Sequence, residues 1–277
     1  SSDGRWKIHG IMLLPPSYSP RKRYPLLVYL EGGPAQVSAG FSNGQYPLLT
    51  FASRGYVVLI PNTRGRGGYG RKFDGAIEAE RSFTDNPYLD VMAGVNALIE
   101  QGIVDPEQMG VAGFSYGATL GGYIITQTSR FKGASLGDGS IEKTTDVLKE
   151  GSLPWVSLLL KHQEGVGDLY HQAERIRYEN QFALGHIQKV RTPSLILTGI
   201  DSSAPTQGRM FLHAFRRMGV PAELIVFPRT GHGIHEPELL LDSHERNLEW
   251  FDHWVRGISS ARMASRYGNS YKTESGE

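Results

Sequence analysis

Ser115 stands at the centre of Gly113-Phe114-Ser115-Tyr116-Gly117, a G-x-S-x-G pattern whose small flanking residues permit the sharp turn that lifts a serine Oγ above a strand end. A hydroxyl is a weak nucleophile. It needs an imidazole to take its proton, and the imidazole needs a carboxylate to fix its tautomer. Of nine histidines, His232 lies in RTGHG, four residues past an expected strand, with His235 as its nearest rival. His244 falls on the apolar stripe of the last expected helix and reads as a packed core histidine, while His253 falls on that helix's solvent side. Two carboxylates compete for the third role. Asp201 follows SLILTG closely and is the preferred acid; Asp138, in LGDGS, also follows a strand but reads equally as a turn or cap residue. A second G-x-S-x-G, at 133–137, puts Ser135 inside an apolar run, where it reads as a structural strand residue.

The elements that must carry these residues alternate. Strands are expected at 7–14, 25–30, 56–62, 109–113, around Ser135, at 194–199 and at 222–227. Helices are expected at 45–54, 85–102, 118–130, around Phe211 to Met218 and at 239–256. In the second of these Tyr88, Val91, Met92, Val95, Leu98 and Ile99 recur at i, i+3, i+4 and i+7. Apolar strands alternating with amphipathic helices imply a mostly parallel sheet covered on both faces, with ligands at the carboxyl ends of its strands. Ser115, Asp201 and His232 each follow an expected strand end. Their chain order is also that of an α/β-hydrolase. Residues 140–189 break the alternation and read as a helical excursion shaping the pocket, and 258–277 read as a disordered tail.

Bulk composition narrows the function class. The 277 residues, 39% hydrophobic, suffice for one large core, and no compositional break divides 1–257. A formal charge of +1 without charge runs gives no nucleic-acid stripe or polybasic membrane patch, and no apolar stretch reaches 18 residues. No cysteine is present, and no histidine pair or carboxylate cluster has metal-ligand spacing, so neither metal nor cofactor is expected. The compartment stays open.

With these residues in hand, the chain resembles the catalytic domain of the prolyl oligopeptidase family, in its acylaminoacyl-peptidase and dipeptidyl-peptidase-like branch, over about Ser2 to Gly257. EGGP (31–34) is similar to the family's HGGP loop, and NTRGRGGYGRKF (62–73) to its N-x-R-G-x-x-G-Y-G-x-x-F segment. The stretch DVMAGVNALIEQGIVDPEQMGVAGFSYG matches the helix and nucleophile turn, and GIDSSAPTQ with VFPRTGHG the acid and base segments. The resemblance implies hydrolysis of short peptides or acyl-peptides through an acyl-serine, with Ser115 attacking, His232 as base and Asp201 orienting it. It also implies an oxyanion held by the backbone N–H groups of Tyr116 and Gly33, and an amino-terminal β-propeller upstream. It leaves a homo-oligomer open.

Departures from the pattern are informative. Ala118 replaces a glycine, Gly199 to Asp201 is one residue short, and Ser203 stands where an arginine or asparagine often holds a substrate carbonyl. The pocket wall falls to the 140–189 region, with Trp155 as an aromatic candidate. Glu31 stands in the histidine's place: it either pairs with Arg64 or Arg66 or receives a cationic group of the substrate. Two other functions remain open, a carboxylesterase or other acyl hydrolase, and a non-catalytic binding protein on a hydrolase fold.

Overall fold

In the computed structural model, which describes residues 1–34, 36, 44–80, 82–144 and 172–268, the central strands are apolar runs buried on both faces, whereas the edge strand at His9–Leu13 is largely exposed. The elements are β1 (His9–Leu13), β2 (Tyr24–Leu30), α1 (Leu48–Ser53), β3 (Val57–Asn62), α2 (Arg71–Asp74), α3 (Ala76–Ala79) and α4 (Asp85–Glu100). They continue with β4 (Val104–Phe114), α5 (Tyr116–Gln127), β5 (Gly133–Gly137), α6 (Gln172–Glu179) and a 3₁₀ run at Ala183–Lys189. The chain then forms β6 (Ser194–Gly199), α7 (Pro205–Arg217), β7 (Ala222–Phe227), α8 (Pro237–Arg256) and α9 (Ala261–Tyr267). Seven strands form one sheet in the order β1-β3-β2-β4-β5-β6-β7, parallel throughout except for β1, which runs antiparallel to β3. This is an α/β-hydrolase fold.

The period of two along a strand divides the core. Leu26, Val28 and Leu30 of β2 join Val91, Val95, Ile124 and Phe211 from α4, α5 and α7 on one face. Leu27 and Tyr29 join Phe51, Leu248, Phe251 and Val255 from α1 and α8 on the other. Register then fixes the carboxyl edge: Leu30 pairs with Gly113, Phe114 with Gly137, and Gly137 with Leu197. Ser115 and Asp138, the next residues on β4 and β5, therefore emerge side by side.

Two expectations change. The expected tail is helical over Ala261–Tyr267, because Met263 and Tyr267 pack on the Trp250 and Trp254 face of α8; residues 269–277 lie outside the described ones. That same helix covers His253, which is buried, donating to or accepting from Ser259 Oγ at 2.7 Å, rather than facing solvent. Within 140–189 the described part includes α6 and the 3₁₀ run, and the remainder, 145–171, is outside it. Among the described residues no helix is long and apolar enough to cross a membrane.

The turn after β3 is held by a buried ion network. The Arg64 guanidinium, with no side-chain exposure, donates to Asp90 Oδ1 and Oδ2 at 2.7 and 2.9 Å, to Glu80 Oε2 at 2.8 Å and to Asp3 Oδ2 at 3.0 Å. Asp90 also accepts the Arg64 backbone N–H at 3.0 Å. Removing one partner of a buried pair strands the other charge, which costs about 3–5 kcal/mol. Asp90→Ala should lower unfolding stability by about 3 kcal/mol in urea titration, with an unchanged denaturant slope; a loss below about 1 kcal/mol would show that Asp3 and Glu80 suffice.

Candidate active site

The turn at Ser115 has unusual backbone geometry for physical reasons that can be named. Ser115 has φ 57° and ψ −121°, a conformation that a non-glycine residue holds only when its surroundings enforce it. Its N–H is tied to Gly137 O at 2.8 Å. A Cβ on Gly117 would lie 1.9 Å from Leu30 O, and one on Gly113 would lie 2.3 Å from the Gly117 carbonyl carbon. The two glycines of the pattern thus let the turn press against the end of β2. Ala118 fits in place of a glycine because its neighbour Gly139 has no Cβ, and one there would come within 2.5 Å of Ala118 Cβ. Ser135 is buried in β5 with its Oγ 3.1 Å from the Tyr46 hydroxyl, a strand residue as expected.

Ser115 Oγ lies 3.0 Å from His232 Nε2. The imidazole, 53% exposed, stands on the loop between β7 and α8, and its ring packs against Phe114 at 5.0 Å between centroids. Its Nδ1 is hydrogen-bonded to Asp138 Oδ2. The carboxylate on the histidine is therefore Asp138, and Asp201 does not take that place. Asp138 is buried, at φ 51°, and accepts two further hydrogen bonds, from Thr198 Oγ1 at 2.7 Å and from Ser202 Oγ at 2.6 Å. With its N–H bound to Leu197 O at 2.7 Å, it is fixed on both sides.

Asp201 falls on a tight turn. β6 ends at Gly199, where a Cβ would come within 2.1 Å of Thr230 O, and the chain reverses at once, with Ser202 N–H on Gly199 O at 3.2 Å. Ile200 and Asp201 occupy the outside of that turn and are exposed. The Asp201 N–H bonds to Thr230 O at 2.9 Å. Ser202, one residue on, is what the turn delivers to the acid. Asp138 was legible as a strand-end carboxylate, and the pairing of Phe114 with Gly137 is the information that sequence spacing lacked.

A cleft of about 310 Å³ opens over Ser115 and His232, lined also by Gly33, Phe83, Tyr116, Lys143, Ser203 and Gln207. Gly33 is exposed at its rim with φ 125°, accessible to glycine without strain. Tyr116 begins α5, so its N–H has no intrahelical acceptor, and its hydroxyl donates to Phe83 O at 2.8 Å. Tyr116 and Gly33 thus both border the space above Ser115, and Ser203 lines the same cleft. Arg64 does not: its guanidinium is consumed by Asp90, Glu80 and Asp3. Trp155 lies outside the described residues. Glu31 is buried beside Arg66, and burial raises its carboxyl above the usual range while the Arg66 charge opposes the rise.

The protein-family model described as the prolyl oligopeptidase family matches residues 41–257. The chain is 28% identical to a probable dipeptidyl-peptidase 5 of Aspergillus flavus over 90% of this chain and 34% of the relative. It is 28% identical to the acylamino-acid-releasing enzyme of Arabidopsis thaliana over 84% of this chain and 30% of that one. In fold it is similar to the acylaminoacyl peptidase of Pyrococcus horikoshii, with a TM-score of 0.79 at 21% identity, covering 91% of this chain and 40% of that chain. The chain spans about a third of the length of these curated relatives. A match over 41–257 includes the serine turn, both candidate acids and the histidine loop, and the chain belongs to the prolyl oligopeptidase family.

Proposed function

We propose that this chain is the catalytic unit of a serine peptidase that hydrolyses short peptides or acyl-peptides through an acyl-serine. The observation carrying this reading is the continuous hydrogen-bond path from Ser115 Oγ through His232 to Asp138. Ser115 Oγ attacks the carbonyl carbon while His232 Nε2 takes its proton, and Asp138 steadies the resulting imidazolium through Nδ1–H. The carbonyl electrons move onto oxygen, received by the N–H groups of Tyr116 and Gly33. The proton on Nε2 then passes to the leaving amine as the C–N bond breaks, leaving an ester on Ser115. Water repeats the sequence and frees the acid. No cofactor enters any of these steps.

Peptide rather than simple ester substrates are supported by family membership and by the activities named for the relatives. Those relatives are about three times as long, and the propeller expected upstream would restrict entry to short chains. An esterase shares the same triad. The intact, hydrogen-bonded set of three residues speaks against a retired site that only binds.

Three outcomes test the reading. A fluorophosphonate probe is expected to label the protein and to leave Ser115→Ala unlabelled. The wild type is expected to release the aniline from aminoacyl or acyl-peptide anilides as well as p-nitrophenol from an ester; ester turnover alone would make it an esterase. Asp138→Asn is expected to lower kcat by about 10⁴-fold through loss of the correct histidine tautomer, with Asp201→Asn within about twofold of wild type. The reverse ranking would return the acid's role to Asp201.

A further inference from the structure

We propose that Arg66, backed by the buried carboxylate of Glu31, is a positioning residue that clamps the 31–36 loop from behind and thereby aims the Gly33 N–H at the oxyanion; the inference rests on the hydrolase reading above. Its guanidinium donates through Nη2 to Glu31 O at 2.6 Å and through Nη1 to Gly32 O and to Gln36 O, the last at 3.3 Å. One side chain thus holds three carbonyls of a single loop. Arg66 is 2% exposed and lies behind the wall of the cleft, 5.5 Å from the centre of the Tyr116 ring. It is brought there by the turn after β3, where Gly65, at φ 89°, packs so closely on Ile77 that a Cβ would lie 2.2 Å from Ile77 Cδ1.

The consequence for Gly33 follows from peptide geometry. In a trans peptide the carbonyl of one residue and the N–H of the next point in opposite directions, and no cis bond occurs among the described residues. With Gly32 O held on the buried side by Arg66, the N–H of Gly33 must turn to the other side. Gly33 borders the cleft above Ser115. At φ 125° Gly33 lies where only glycine moves freely, so without the clamp the Gly32–Gly33 plane has little to keep it from rotating. A guanidinium suits the task because its planar fork fixes two acceptors at once, whereas an ammonium is a point donor.

Glu31 supplies the counter-charge. A buried guanidinium bonded only to neutral carbonyls is costly, and the Glu31 carboxylate acts electrostatically on Arg66 from the residue whose own carbonyl the fork holds. Arg66 falls at an unspecified place in the N-x-R-G-x-x-G-Y-G-x-x-F pattern, and Glu31 falls where HGGP has histidine. Glu31 is 9% exposed and does not line the cleft over Ser115, so a cationic substrate end bound there does not meet it.

The decisive comparison uses Arg66→Met and Arg66→Lys. Arg66→Met is expected to lower kcat for a p-nitrophenyl ester about 10²-fold with KM within about twofold, the signature of a contact made in the transition state. Affinity for a peptide boronate, which forms a tetrahedral adduct on Ser115, is expected to fall in parallel. Arg66→Lys, which reaches fewer carbonyls, is expected to lose about 10-fold in kcat, and it decides the matter if Arg66→Met does not fold. Unchanged kcat in the folded variant, or a loss confined to KM, overturns the clamp. A crystal structure of either folded variant with the Gly32–Gly33 plane unrotated also overturns it, whether or not the wild type turns over; failure of wild-type turnover alone overturns the hydrolase reading instead.

Discussion

The close approach of the β4–α5 turn to the end of β2 is the constraint on which the rest of the site depends. Gly117 has no room for a Cβ because Leu30 O occupies it, and that contact fixes two things together. It holds Ser115 in its positive-φ conformation above the sheet. It also sets the start of the 31–36 loop beside the first turn of α5, so that the N–H groups of Tyr116 and Gly33 border one space. In the proposed reaction the nucleophile and its oxyanion donors would come from different segments, and backbone contact between those segments would remove the relative motion that blunts them.

Parallel register places the acid by the same logic. Neighbouring strands are about 4.8 Å apart, so residues just past paired positions on β4 and β5 are natural partners for a single histidine approaching from above. Asp138 follows Gly137, the partner of Phe114, and Thr198 follows Leu197, the partner of Gly137. Thr198 therefore donates to Asp138 with no loop needed to bring it there. An acid on the turn after Gly199 would have to be carried back toward His232. That turn instead carries Ser202 to the carboxylate. Asp138 and Asp201 both lie between Ser115 and His232 in the chain, which is why order could not choose between them.

How much was legible follows from what each signal measures. Apolar runs bounded by turn residues give β6 and β7 to the residue, and the 3.6 period gives α4, because burial on a face leaves a periodic trace. β4 starts at Val104, earlier than the apolar MGVAG suggests, because Val104 already pairs with Tyr24; the polar Asp105 to Gln108 that follow form an irregular stretch before Met109 pairs with Leu26, and they leave no apolar trace. α9 reads as a polar tail because only Met263 and Tyr267 of its residues carry its packing. Ser115 and His232 were legible through local turn chemistry. Asp138 was not separable from Asp201, because that choice is made by pairing between strands distant in sequence.

Charge shows the same division between type and place. Two arginines stand two residues apart after β3, and residue type alone gives no reason to treat them differently. The backbone turns between them at Gly65, sending Arg64 down to Asp90 and Glu80 and Arg66 across to the 31–36 loop. Arg64 meets carboxylates in bidentate geometry and so anchors the turn. Arg66 meets carbonyls, and a cation bonded to carbonyls polarises them and strengthens the opposing N–H dipoles of the same peptides. A carboxylate at residue 31 would by itself oppose negative charge developing on a substrate oxygen nearby. Buried at residue 31, it acts on the Arg66 cation, whose fork holds the carbonyl of the same residue.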